Sequence, residues 1–120
     1  MKLWAGVPYE YSRSAEGLVF TAGACPLDAN GDVVAPGDLV SQVERTAENL
    51  LAALADAGVS RDSLLKTTIY VATDNRSDLG LVWQAVSERL GRAPSTLLGV
   101  SVLGYPGQLV EIEAVATAAP

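Results

Sequence analysis

Histidine is absent from the 120 residues, and cysteine occurs once, at Cys25. Without an imidazole there is no Ser-His-Asp or Cys-His arrangement and no usual zinc site. A lone cysteine also rules out an intramolecular disulfide. Any acid-base work therefore falls to carboxylates, tyrosine, lysine or water. Basic residues are scarce as well: 8 Lys and Arg stand against 14 Asp and Glu, a net charge of -6. They are scattered, so no basic stripe exists to displace counterions from a phosphate backbone, and nucleic acid is not an expected partner. No apolar run approaches the roughly 18 residues of a membrane span, and the start lacks a basic region followed by an apolar block. The expectation is a soluble, cytoplasmic protein with no membrane partner.

What is present reads as one domain, residues 1–120, with no linker, repeat or charge block. A chain of this length builds one core but is short for a large enclosed site, so a cleft can require a second subunit. Strands are expected at Tyr9–Arg13 and at 18–22, joined by a turn at Ala15-Glu16-Gly17, with Asn30-Gly31 marking a reversal and a short strand at 32–34. Asp38 is placed to cap a helix running to about Ala57, with Val43, Ala47, Leu50, Leu51 and Leu54 inward and Gly58 as the stop. The β-branched run Leu65–Ala72 reads as a strand. A second helix is expected from Ser77 or Asp78 to Leu90, with Leu79, Val82, Trp83, Val86 and Leu90 inward and Gly91 ending it. Strands at 96–102 and 109–116 follow, separated by a Gly104-Tyr105-Pro106-Gly107 turn cluster. The sum is an α+β domain, two helices against a mixed sheet. Helices on one face leave the other uncovered, which points to self-association.

The segment Leu109–Ala116, LVEIEAVA, carries two glutamates inside an apolar strand pattern. In an extended chain Glu111 and Glu113 share one face with Leu109 and Val115, while Val110, Ile112, Ala114 and Ala116 take the other. Carboxylates beside apolar neighbours either border solvent or line a polar pocket.

Taken together, these segments resemble the Rid family, also called the YjgF or reactive-intermediate-deaminase family. The resemblance rests on Tyr9, LVFTAGACP ending at Pro26, Gln42 and Asn49, Ala57-Gly58, LLKTTIYVAT, Pro94 and LVEIEAVA, in order and at the family's spacing. It implies a chorismate-mutase-like α+β fold with two helices on one face of the sheet, and a homotrimer with clefts between adjacent subunits. For many members it also implies hydrolysis of small reactive enamines or imines to carbonyl compounds and ammonia, with no metal and no organic cofactor. Those members hold a substrate carboxylate with an arginine two residues after the proline. Here Pro94 is followed by Ser95 and Thr96. A threonine hydroxyl offers one neutral donor where arginine presents a bidentate cation, so the usual 2-imino-acid substrate is not implied.

The resemblance assigns the catalytic role to Glu111, as the group that orients or deprotonates an attacking water. The alternative is a structural carboxylate bonded to neighbouring amides. Glu113, about 7 Å along the strand, is expected in an ion pair or a subunit contact. Tyr9 either offers its hydroxyl to a ligand or packs at the subunit edge. Gly23 allows backbone approach to a ligand, or serves a turn; Ala22 before it lacks the hydroxyl that relatives often place there. Trp83 either anchors the core or narrows the cleft toward a flat ligand. Cys25 is expected to be an inert thiol, since no neighbouring base activates it. Arg13 and Arg92 are the arginines considered for replacing the missing charge at Thr96. The expected partners are a small-molecule ligand and further copies of the chain; a non-catalytic ligand-binding or regulatory trimer is the rival to a hydrolase.

Overall fold

The computed structural model describes residues 2–118. Its longest helix, α1 (Leu39–Asp56), begins where Asp38 accepts hydrogen bonds from the Ser41 amide at 3.1 Å and the Ser41 hydroxyl at 2.8 Å. Those bonds favour the ionised carboxyl and hold Asp38 below its usual range. The helix ends in a Schellman arrangement: Gly58, at φ +83°, donates to Ala55 and Val59 donates to Leu54, and Val59 then packs into the core. Val43, Ala47, Leu50 and Leu54 form the buried stripe, with Leu51 partly buried beside them. Each fully buried aliphatic side chain contributes about 1.5–3 kcal/mol.

Five strands make one sheet. β1 (Ser12–Ala15) and β2 (Leu18–Thr21) form a hairpin whose two loop residues, Glu16 at φ 53° and Gly17 at φ 75°, fit the type I′ turn that matches strand twist. That turn sets the register, so pairing covers Ser12–Ala15 instead of Tyr9–Arg13. A single 3₁₀ turn (Arg61–Ser63) leads into β3 (Leu64–Ala72); α2 (Arg76–Leu90), β4 (Ser95–Val100) and β5 (Val110–Thr117) follow. The spatial order is β1-β2-β5-β3-β4, all antiparallel except the β3–β4 pair, whose parallel connection is the crossover through α2.

Both helices pack on the face built by Val19, Ile69, Val71, Val110, Ile112, Ala114 and Ala116. Arg89 on α2 ties the helix layer together through Glu44 at 2.8 Å and Glu48 at 3.2 Å on α1. Among the described residues no helix covers the other sheet face, and Phe20 and Leu98 on it are 48% and 44% exposed.

Four further expectations, besides the bounds of the first strand, are corrected. Asp32 to Val34 form no strand, because Val33 makes one bridge to Leu27 and the chain turns at once through Ala35 at φ 44°. α2 starts at Arg76, one residue before Ser77, because Asn75 is the cap, accepting from the Ser77 amide and hydroxyl at 3.1 and 2.8 Å. β4 spans Ser95–Val100 and stops short of Val102, which is exposed. Trp83 does not face inward: it is 42% exposed, and the buried stripe of α2 runs through Val82, Ala85, Val86 and Leu90. The small Ala85 fits the inward position beside α1, where an indole would hold the helices apart.

Candidate functional site

The site begins with β5, whose alternation turns Glu111 and Glu113 to the uncovered face while Ile112 between them is fully buried. Ala24 then bonds to Ile112 in both directions, N to O at 2.7 Å and O to N at 3.1 Å, which lays the loop 22–27 across the strand. Gly23 is thereby pressed onto Glu111. A Cβ built on Gly23 would lie 2.2 Å from Glu111 Oε2. This glycine is not a turn residue, since its φ is not positive; what it provides is room for a carboxylate.

Two buried amides on α1 fix the loops around that carboxylate. Asn49 Nδ2 donates to the carbonyls of Cys25 and Leu27, at 2.8 and 2.9 Å. Gln42 accepts from the Leu109 amide at 2.8 Å and donates to the Gly107 carbonyl at 3.0 Å. One helix face therefore holds both the 22–27 loop and the turn that enters β5. From the other side comes the N-terminal segment. The Trp4 ring packs so closely on Gly31 that a Cβ there would meet it at 2.5 Å, and the Tyr11 hydroxyl donates to the Trp4 carbonyl. This anchoring places Tyr9 at the rim, its ring edge-on to Tyr11 with centroids 6.4 Å apart.

The result is an open groove of about 450 Å³ lined chiefly by Tyr9, Gly23, Cys25, Tyr105 and Glu111. That volume falls within the range of small-ligand sites, roughly 300–1,000 Å³. Its electrostatics are one-sided. Burial, then the Glu111 carboxylate, pushes the Cys25 thiol up to about 12. Burial, then Cys25 and Tyr105, likewise pushes the Tyr9 hydroxyl up. Both groups stay protonated near neutral pH, so they act as donors, and Cys25 is no nucleophile. Glu111 Oε1 accepts from Cys25 Sγ at 3.4 Å and from Gln108 Nε2 at 3.2 Å. Oε2 has no hydrogen-bond partner among the described residues. Such a site can take a proton from a water while its rim donates to a polar substrate atom.

The structure thus brings together Glu111, Tyr9, Gly23, Ala22 and Cys25. It does not bring Thr96 or Trp83 to the same groove within one chain. Trp83 lies on the helix layer. Thr96 lies two strands from Glu111, on β4, and its Oγ1 accepts from Lys66 Nζ at 2.6 Å. The cation that approaches Thr96 is therefore Lys66, neither Arg13, which sits on β1 at the opposite sheet edge, nor Arg92. Lys66 makes no ion pair among the described residues. Glu113 accepts the Tyr70 hydroxyl at 2.7 Å and makes no ion pair among the described residues.

Gln108 and Lys66 went unrecognised in the sequence. Gln108 precedes its strand and shows no periodic signal, and Lys66 meets Thr96 only through the parallel β3–β4 register. Among the described residues no three His, Cys, Asp or Glu side chains converge as metal ligands, and no helix is long and apolar enough to cross a membrane.

Comparison with known proteins finds relatives over nearly the whole chain. The endoribonuclease L-PSP family model matches residues 2–118. A RutC family protein of Pyrococcus abyssi is 31% identical over 110 residues, 91% of this chain and 85% of its own length. The 3-aminoacrylate deaminase RutC of Acinetobacter baylyi is 30% identical over 110 residues, 91% and 86% of the two chains. Among solved structures, the Rid-family protein YyfA of Yersinia pestis superposes with a TM-score of 0.82 at 29% identity, over 92% of this chain and 87% of that one.

Proposed function

The chain belongs to the endoribonuclease L-PSP family, the family of the Rid and YjgF proteins, and from that premise we propose that it hydrolyses a small reactive imine or enamine to a carbonyl compound and ammonia. Some members of the family are deaminases of this kind. The single observation that carries the reading is the state of Glu111: one oxygen held by Gln108 and Cys25, the other without a partner among the described residues, in the wall of a groove where Tyr9 and Cys25 stay protonated.

In this reading Glu111 Oε2 accepts a proton from water as the water oxygen bonds to the imine carbon. The C=N π pair moves to nitrogen, which takes that proton from Glu111. The resulting carbinolamine expels ammonia as its hydroxyl proton passes by way of Glu111 to the leaving nitrogen and the carbonyl forms. An enamine enters the same path once its carbon is protonated. Tyr9 and the backbone beside Gly23 orient the substrate, and no metal or organic cofactor is required.

The helix-free sheet face, with Phe20 and Leu98 exposed, is the face on which further copies dock to give a trimer. Docking would let Thr96 and Lys66 of one copy border the groove of the next, whereas Trp83, on the helix layer, stays away from that face. Thr96 in place of a cation favours a substrate that need not carry a carboxylate there. A net charge of -6 argues against RNA as substrate.

The same departure at Thr96 favours a second reading, a trimer that binds a small ligand without turning it over. Ammonia release from a panel of imines and enamines, with and without a carboxylate, separates the two. Turnover by the wild type that Glu111→Gln abolishes supports the hydrolase, and no release from any member of the panel leaves the binding protein. Light scattering that returned a monomer at micromolar concentration would remove the shared cleft.

A further inference from the structure

Gln108 is 4% exposed, and every polar atom of its side chain is used. Its Oε1 accepts from the Tyr105 amide at 3.1 Å. Its Nε2 donates to the Val110 carbonyl at 3.0 Å and to Glu111 Oε1 at 3.2 Å. The orientation of this amide follows from its neighbours. Turned over, it would set its NH2 against the Tyr105 N–H and its oxygen against two acceptors, Val110 O and Glu111 Oε1. With one N–H committed to the Val110 carbonyl, the other has to point at Glu111.

Cys25 adds a second donor to the same oxygen. Its thiol lies 3.4 Å from Glu111 Oε1 and 3.5 Å from the Gly23 carbonyl, and the ionised carboxylate is the stronger acceptor of its single proton. Both donors therefore converge on Oε1. Oε2 occupies the space left by the missing Cβ of Gly23, with no partner among the described residues.

We infer that Gln108, with Cys25 beside it, is a positioning residue that divides the Glu111 carboxylate into one anchored oxygen and one working oxygen. The inference rests on the reading of Glu111 as the group that activates water. A carboxylate free to rotate about its last bond presents either oxygen at a range of angles. Pinning Oε1 fixes the place of Oε2, beside Gly23 in the groove wall, as proton transfer from a water in the proposed step requires. Gln108 touches no substrate, so it contributes to kcat and not to affinity.

The test is Gln108→Met, which keeps length and bulk and removes both N–H donors. With a substrate from the imine panel, kcat is expected to fall about ten- to a hundredfold with KM nearly unchanged. In its crystal structure the Glu111 carboxylate should leave the position beside Gly23. An unchanged kcat, or a Glu111 that stays in place without its donor, overturns the inference; so does a rise in KM at constant kcat.

Should Gln108→Met fail to fold, the pair Cys25→Ser and Cys25→Ala decides. Serine keeps a donor to Oε1 and alanine does not, so a kcat several-fold lower in the alanine variant supports the anchored oxygen, and equal kcat values refute it. Glu111→Gln is the separate control. If that variant keeps wild-type turnover, the water-activating reading of Glu111 falls, whereas the position of the carboxylate in the Gln108→Met structure still answers whether Gln108 holds it.

Discussion

Glu111 and Glu113 stand two residues apart on one face of one strand, and the chain treats them in opposite ways. Over Glu111 the 22–27 loop forms a roof, Gly23 gives it room, and Gln108 and Cys25 hold one of its oxygens. Glu113 accepts, among the described residues, one hydrogen bond, from the Tyr70 hydroxyl, and that bond is the first cause of the raised Tyr70 pKa. A carboxylate becomes a candidate for chemistry through what is built above it. Strand position alone, which the two share, does not distinguish them.

The comparison breaks if the two glutamates prove equivalent. Glu111→Gln is expected to lower ammonia release by about 10²–10⁴-fold, while Glu113→Gln, which keeps an acceptor for the Tyr70 hydroxyl, should change it less than about threefold. Steady-state rates of both variants on one substrate, with circular dichroism to confirm the fold, check this.

The roof itself is tested by Gly23→Ala. The new methyl would collide with Oε2, and the carboxylate can move aside only by giving up its bonds to Gln108 and Cys25. Stability should fall by about 1–3 kcal/mol and activity should be lost. In a Glu111→Ala background the same change should be nearly neutral to stability, as urea unfolding of the four proteins would show.

A smaller effect is expected on the sheet face beyond the roof. Thr96→Arg should improve turnover of carboxylate-bearing imines over those without one by up to about tenfold, the value of roughly one charge-assisted hydrogen bond. Lys66 already brings a positive charge to Thr96, so the gain is partial. Equal changes for both substrate types would show that Thr96 does not face ligand.

The last effect, outside the groove chemistry, lies in alkaline stability. Burial holds the Cys25 proton up to about 12, whereas an unfolded cysteine loses it near about 8.5. The native chain binds this proton more tightly, so the stability it contributes is complete below about pH 8.5 and is lost as pH rises toward 12. Urea unfolding between pH 7 and 10 should show the decline, and Cys25→Ser should flatten it. Tyr9, Tyr11 and Tyr70 are shifted in the same direction, but their share begins nearer pH 10.

The scaffold was legible because it is local. The Asp38 cap, the Gly58 stop, the stripe of α1 and the alternation of β5 are each written within a few turns or pleats, and each is observed. The site was legible in part: Glu111, Gly23 and Tyr9 could be grouped through a family resemblance, although nothing local shows that Gly23 lies on Glu111. What stayed hidden depends on pairing at a distance. Lys66 reaches Thr96 through a crossover. Trp83 fits an inward stripe by spacing and is turned outward by the way α2 meets α1. Gln108 bends back on its own strand from a turn, where no period announces it.

The two side-chain amides of α1 carry a consequence for motion. Loops bounding a groove usually open at little energetic cost, independently of the core. Here Gln42 receives the Leu109 N–H and Asn49 grips the carbonyls of Cys25 and Leu27. Lifting either loop strands buried polar groups on the central helix, so the groove walls share the opening energy of α1. Under the proposed function a ligand would enter a vessel whose shape is already set, and adaptation to it would be left to the rim, to Tyr9 and Tyr105.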